Sequence, residues 1–498
     1  MSEAEINRAL ALAADGHAVE ALAITKPLAE VMEASHLALA AHSQILKILR
    51  RREEALAFDK RATLRFPKSG VAWHNMAATL DDLGRGEAAI QAMDRAFALG
   101  LDEATSWGVY ARALIAVGRH DEAEAAYVNA RKRAMADARL TAEYANYVWM
   151  RRGDRALALA SIDTCFHAGG EPGELVLAKA RILEAMGEVD EAADLLATAV
   201  TRLPNDLPLQ LAATHATLGR GQLDEAEKLA QYALVLGPNL ASAHNQMAIV
   251  RLAQGRPEEA LEAARRGLAI APTDQSLLGW AATAARLTGD PLHGSLYDYD
   301  SLVGAYDLAP PSGWKTTEAW LTDLARSLNA LHVYEQHPST QSLRGGAQTF
   351  QNLSGSRDPA IKAFFKAIDG PIRQHMEKLG TGEDPHRSRN TGRYVVDGAW
   401  SVRLKPGGFH KDHFHSQGWL SSAFYVETPE AALDRETKEG WLRFGQPPIT
   451  VNPPILADHY VRPKPGRLVL FPSYMWHGTV PFTTDEHRMT IAFDAIPA

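Results

Sequence analysis

Between positions 3 and 289, apolar residues recur at the spacing of one helix face, and polar punctuation between them repeats with a fixed period. Gly84, Gly118, Gly153, Gly187, Gly221, Gly255 and Gly289 follow one another at 34 or 35 residues, and the ladder projected backwards falls on Arg50 and Gly16. Five residues beyond each step sits an alanine: Ala21, Ala55, Ala89, Ala123, Ala158, Ala192, Ala226 and Ala260. The text around them recurs as GRHDEAE, GEVDEAA, GQLDEAE and GRPEEAL, and Pro204, Pro238 and Pro272 form a third ladder. A glycine closes one helix in the left-handed conformation. The acidic pair favours the positive end of the next helix. The alanine lets two helices approach closely, and the proline stops the second helix. Each unit is therefore a helical hairpin that cannot bury its apolar face alone, so the units stack.

Beyond Gly289 the pattern changes. Residues 290–316 carry turn residues without the repeat phase and read as a linker or docking segment. Residues 317–336 read as an amphipathic helix with Thr317 as N-cap. Residues 357–380 read as one or two helices broken near Gly370-Pro371. From about 390 the runs GRYVVDGAWSVRL, WLSSAFYVET, EGWLRFG, RLVLFPSYMWHGTVPF and RMTIAFDAI are β-rich and separated by turns, which predicts a small barrel or a double-sheet jelly roll.

Composition narrows the classes. The chain has 498 residues, 46% hydrophobic and 22% charged, which is ordinary for a globular protein of several domains. A net charge of −8 argues against a general nucleic-acid binder. One cysteine, Cys165, excludes an internal disulfide framework and reads as a buried apolar residue. No signal peptide and no membrane span are expected, so the expectation is a soluble cytoplasmic protein.

The candidate chemistry lies in GGFHKDHFHSQGW, which holds His410, Asp412, His413 and His415. His477 follows 62 residues after His415, and Arg488 comes 11 residues later. A strand points residues i and i+2 to one face. His413 with His415, or else His410 with Asp412, can thus offer two ligands to one metal, and His477 can close a three-point face. Such a face leaves positions open for a chelating co-substrate and dioxygen. Arg488 and Thr490 share a strand face suited to gripping a carboxylate.

The repeat pattern resembles the tetratricopeptide repeat, read as eight units over 3–275 with a capping helix at 276–289. The segments QSLRGGAQTFQ (341–351), PGGFHKDHFHSQGWLSSAFYV (406–426), GRLVLFPSYMWHGTVPF (466–482) and HRMTIAFD (487–494) resemble the 2-oxoglutarate-dependent Fe(II) oxygenases, and more narrowly a bacterial family that often trails such repeats. The resemblances imply an all-α solenoid over 1–289, the linker at 290–316, and an α+β double-stranded β-helix (jelly-roll, cupin-like) domain over 317–498. They imply Fe(II) held by His413, His415 and His477, with His410 and Asp412 as alternative ligands. They also imply 2-oxoglutarate held by Arg488, Thr490 and Tyr425. Under the three-histidine reading Asp412 orients a ligand imidazole. Arg344, at a turn on the pocket rim, and Trp419 are candidate substrate contacts, and Ser422, where the family has glycine, narrows the pocket.

The expected activity is 2-oxoglutarate- and O2-dependent hydroxylation of a protein or peptide recruited by the repeats. Two alternatives remain open: a small-molecule, amino-acid-like oxygenase whose repeats bind partners or a second copy of the chain, and a scaffold with an inactive barrel.

Overall fold

The computed structural model describes residues 3–14, 16–350 and 352–498, so Met1, Ser2, Asp15 and Gln351, the last residue of the 341–351 segment, lie outside the described residues. Seventeen described helices follow one another down to Gly289. They are α1 Glu3–Ala14, α2 Ala18–Glu30, α3 His36–Ile48, α4 Arg52–Arg65, α5 Gly70–Asp82, α6 Gly86–Ala98, α7 Ala104–Ala116, α8 His120–Arg133, α9 Ala138–Arg152, α10 Arg155–His167, α11 Pro172–Ala185, α12 Val189–Arg202, α13 Leu207–Gly219, α14 Leu223–Leu236, α15 Ala241–Ala253, α16 Pro257–Ile270 and α17 Gln275–Thr288. Each ladder position falls between the two helices of a hairpin or just after α17, and each has positive φ, Arg50 included at 62°. Arginine adopts this left-handed conformation at a cost that glycine avoids. The eight ladder alanines are all fully buried, as close helix approach demands. Cys165 is a buried free thiol in α10. No described helix is long and apolar enough to cross a membrane.

The chain forms two compact units: residues 1–140 with 350–357, and residues 141–349 with 358–498. The later repeats therefore share a unit with the β-rich region. The indole N–H of Trp476 donates to the hydroxyl of Thr283 at 2.9 Å and to the carbonyl of Gly279 at 3.2 Å, and its ring meets Trp280 at 4.6 Å. Further along, the amides of Glu335 and Gln336 both donate to the carbonyl of Met150, and that of Asn452 to Leu252.

After α17 come α18 Leu292–Leu296, α19 Tyr299–Leu302, β1 Gly304–Asp307, α20 Thr317–Asn329, β2 Leu343–Gln348, α21 Pro359–Ala367, α22 Asp369–Leu379, β3 Tyr394–His410, β4 Leu420–Glu427, β5 Leu442–Phe444, β6 His459–Val461, β7 Arg467–Pro472, β8 His477–Thr479 and β9 Arg488–Pro497. Two antiparallel sheets result, ordered β1-β7-β4-β9-β3-β2 and β6-β5-β8. They face one another as a double-stranded β-helix. Outward residues of the large sheet pack on helices: Phe424 lies 5.5 Å from Trp320 of α20 and 4.9 Å from Phe364 of α21.

Three local readings change. The 290–316 segment contains β1, which pairs with β7, and the hydroxyl of buried Tyr297 accepts the amide of Trp476 at 2.8 Å. Its turn residues end short elements and do not loosen them. The cap of α20 is Thr316, whose hydroxyl accepts the Ala319 amide at 3.2 Å, and the helix stops at Asn329. The turn expected around Arg344 is strand β2, bulged between Arg344 and Gly346, with Gly345 at φ 65°.

Candidate metal and co-substrate site

Three imidazoles converge where the two sheets meet. Strand β3 ends at His410, so His413 and His415 lie in the irregular stretch before β4 and not on a strand end. His413 still exchanges both backbone hydrogen bonds with His477 of β8, each 2.9 Å, and the His415 amide donates to Ser473. This antiparallel bridge sets the first and last histidines side by side, with ring centroids 4.1 Å apart. One ring nitrogen from each of His413, His415 and His477 lies within 4.8 Å of the others.

The second ring nitrogen of each is committed. Nδ1 of His413 faces the Lys411 carbonyl at 2.8 Å, Nδ1 of His477 the Met475 carbonyl at 2.9 Å, and Nδ1 of His415 the Asp494 carboxylate at 2.6 Å. A carbonyl or carboxylate oxygen only accepts, so each Nδ1 carries a proton, and Nε2 is the atom each ring has left for a metal. Nε2 of His413 and His415 lie 3.2 Å apart. At that distance both nitrogens can reach one cation. Burial holds the His413 imidazole down at about 3, and holds that of His477 well below the ordinary histidine value. Both are therefore neutral at physiological pH, as a ligand imidazole must be.

The other pair is arranged differently. Asp412 is buried with both oxygens on Arg443, accepting from Nε at 2.9 Å and Nη2 at 2.7 Å. It faces neither the imidazoles nor a shared point with them. The carboxylate that orients a histidine is Asp494 and not Asp412. His410 stacks on His413 at 5.7 Å, and its Nδ1 pairs with the Ser342 hydroxyl at 3.0 Å.

Asp494 went unrecognised in the sequence, yet a signal was there. In strand β9, Arg488, Thr490, Ala492 and Asp494 alternate with Met489, Ile491 and Phe493, so the carboxylate falls on the arginine face. Its Oδ1 also accepts the Ser421 hydroxyl at 2.7 Å.

A cleft leads from the imidazoles to Arg488, and Gln348, Trp400, Phe471 and Thr490 also line it. Arg488 is almost wholly buried, and burial lowers its pKa from the ordinary arginine value. Its guanidinium carbon lies 5.0 Å from the Tyr425 ring centroid. Its Nε and the buried Tyr425 hydroxyl have no hydrogen-bond partner among the described residues. A buried cation with an unsatisfied donor is costly unless an anion completes it. Tyr425 lies against Arg488 and is not part of the cleft lining. Ser422 lines the cleft, but its hydroxyl is held by the Phe493 backbone, accepting at 2.9 Å and donating at 3.0 Å. Trp419 is a core residue and not a substrate contact: it is fully buried and donates its indole N–H to the His386 carbonyl at 2.9 Å. Arg344 faces a separate cavity. The donor set of three imidazoles and one buried guanidinium fits a divalent metal with a carboxylate-bearing co-substrate.

A comparison with curated proteins gives no match. Among solved structures, the chain is similar to a tetratricopeptide repeat protein from Parabacteroides merdae, at 14% identity and TM-score 0.35 over 58% of this chain and 98% of that one. It is also similar to YrrB, described as a TPR protein with an unusual peptide-binding site, at 21% identity and TM-score 0.27 over 38% and 97%. The APC/C hetero-tetramer Cut9-Hcn1 matches at 18% identity and TM-score 0.32 over 54% of this chain, which spans 52% of that one. Residues 398–494, which include all three histidines, Arg488 and Asp494, match the family described as "Putative 2OG-Fe(II) oxygenase". The chain thus joins an array of helical hairpins repeating every 34 or 35 residues to a β-rich domain whose C-terminal part is similar to the 2-oxoglutarate/Fe(II) oxygenase family.

Proposed function

We propose that the protein is a 2-oxoglutarate- and Fe(II)-dependent oxygenase that hydroxylates a side chain of a protein or peptide held by its repeats. The observation that carries this reading is the convergence of three imidazoles at one end of a cleft that Arg488 also lines. His413, His415 and His477 would hold the iron. Arg488 and Thr490 would hold the distal carboxylate of 2-oxoglutarate, with Tyr425 supporting the guanidinium. Iron with 2-oxoglutarate and dioxygen supplies the oxidising chemistry for a C–H bond when bound.

The residues of the chain do the positioning. Lys411, Met475 and Asp494 lock the three ring orientations, so no reorganisation is needed on metal binding. Arg488 offers a fixed fork to a planar carboxylate. The apolar walls at Trp400 and Phe471 exclude water. Packing of α17 on Trp476, the residue before His477, supports a role for the repeats at the site and not only at a distance.

The test is the visible spectrum of the metal-free protein mixed anaerobically with Fe(II) and 2-oxoglutarate. Chelation by the 2-oxo acid gives a weak charge-transfer band. It should vanish in His415→Ala and His477→Ala and persist in Asp412→Asn. No band in the wild type would reject the co-substrate assignment.

A further inference from the structure

The repeats and the oxygenase domain enclose a second cavity of about 700 Å³, separate from the histidine cleft. One wall comes from the repeat helices α11 to α15 and is largely apolar, with Leu218 and Ala253 among its residues. The opposite wall is made by Arg344 of β2, by Lys411 and Asp412 just after β3, and by Pro448, Ile449 and Thr450. From the repeats, the titratable groups facing it are Glu184 and His215.

The charges in this cavity are unevenly matched. Asp412 is already consumed by Arg443. Arg344 uses one Nη1 on the carbonyls of Gln341 and Leu343, at 2.9 and 2.8 Å. Glu184 lines the same cavity, and among the described residues it closes no ion pair with Arg344 or Lys411. Half-buried Arg344 and exposed Lys411 thus face one half-open space with Glu184, a carboxylate that makes no ion pair among the described residues, in a chain whose net charge is −8.

The cavity also adjoins the metal-site loop. The Lys411 amide donates to the Ser342 carbonyl at 3.0 Å, and its own carbonyl receives Nδ1–H of His413. The side chains of Ser342 and His410 line the histidine cleft while those of Arg344 and Lys411 line the cavity. One short stretch of backbone separates the two spaces.

We infer that this cavity is the substrate-recognition site, and that Arg344 and Lys411 bind the carboxylate of an acidic residue in a peptide segment whose apolar neighbours rest on the repeat helices. The inference rests on the oxygenase reading above and names its substrate class. Charge-assisted contacts in a partly enclosed site give the arginine and lysine more weight than exposed ion pairs would have. Glu184 opposes the anion and sets how acidic the segment must be.

The test uses the full chain and two fluorescein-labelled decapeptides of alternating residues, Glu-Gly and Gln-Gly, read by fluorescence anisotropy at low salt. The net negative charge of the protein disfavours acidic ligands in general, so preference for the glutamate peptide must arise locally. The expected result is at least tenfold tighter binding of the glutamate peptide. Arg344→Gln and Lys411→Glu should each weaken it at least threefold, and Glu184→Gln should strengthen it, a gain that misfolding cannot mimic. Equal affinity for the two peptides, or indifference to all three substitutions, overturns the inference. Displacement of the peptide by equimolar free glutamate overturns it in favour of a small-anion site. The iron–2-oxoglutarate band is recorded on the same samples. A normal band without peptide discrimination rejects the recognition site alone. Peptide discrimination without a band rejects the oxygenase reading and the substrate role with it.

Discussion

The Nδ1–H of His415 donates to Oδ1 of Asp494 over 2.6 Å, between two side chains that are each 14% exposed. The same carboxylate oxygen accepts the Ser421 hydroxyl, and Ser421 in turn contacts Ser473 at 2.8 Å. The imidazole is thus anchored through β9, β4 and the segment after β7 together. Gly418 passes so close that a Cβ there would lie 2.2 Å from the Ser473 hydroxyl. The order of the sheet, and not only the histidine motif, fixes where Nε2 of His415 points.

Replacing this carboxylate should loosen the metal without removing a ligand. Asp494→Asn keeps the volume but weakens the charge-assisted bond and allows the other tautomer of His415. Changes at such supporting partners cost roughly 10- to 100-fold in metal affinity. Anaerobic Fe(II) titration in the presence of 2-oxoglutarate checks this, and an unchanged affinity would show that Asp494 is dispensable.

Arg488 should act on the co-substrate and spare the metal. Arg488→Gln removes a charged donor from a buried site, and a hydrogen bond to a charged group is worth about 1.5–3 kcal/mol. The expected loss is about 10- to 150-fold in 2-oxoglutarate affinity. Direct binding of 2-oxoglutarate to the iron-loaded protein measures it, beside an iron titration that should be nearly unaltered. A large fall in iron affinity with normal 2-oxoglutarate binding would reverse the two roles.

Much of this molecule was legible in the chain because repetition amplifies weak signals. Arg50 shows the strength of that amplification: the ladder demanded a left-handed residue there, and the arginine takes φ 62°. Strand spacing left His413 with His415 and His410 with Asp412 equally open, and only the family resemblance implied the three-histidine set; both histidines lie beyond the end of β3, where strand spacing does not apply. What stayed hidden depends on contacts distant in sequence. Asp494 supports His415 across 79 residues. Asp412 was read as an imidazole partner because it stands beside His413, but its carboxylate turns to Arg443 of β5. The four-residue strand β1 was read only as part of a linker or docking segment because its stability comes from pairing with β7, which local propensity does not encode.

Stability should fall on mild acidification. His332 and His386 are buried, and burial lowers both to about 3; His375 is lowered by burial to about 4. In the unfolded chain histidines take up protons near pH 6.5. Below that pH the unfolded state binds more protons than the folded one, so stability rises with pH up to about 6.5 and is lost as pH falls towards 4. Each withheld proton contributes a slope of about 1.4 kcal/mol per pH unit. The thermal midpoint of the metal-free protein should drop steadily from pH 7 to pH 5. A flat profile would mean that these imidazoles are already charged in the fold.

The last repeats and the β-rich domain should unfold as one body. Trp476 is fully buried, its indole N–H reaches Thr283 and Gly279 of α17, and its ring also meets Phe414 edge-on at 5.4 Å. The next residue is His477, so the packing that joins the repeats to the barrel also sets the start of β8. Trp476→Ala opens a large cavity at this junction and should cost about 3–5 kcal/mol. Because the cavity lies beside His477, iron affinity should fall with it. Trp476→Phe keeps most of the volume but leaves the Thr283 hydroxyl and the Gly279 carbonyl without this donor. It should cost less, about 1–3 kcal/mol. Calorimetry of the full chain, scored for the transition of residues 141–349 and 358–498, measures both variants. If Trp476→Ala splits that transition into separate repeat and barrel steps while iron binding stays normal, the repeats are a passive attachment and the junction does not support the site.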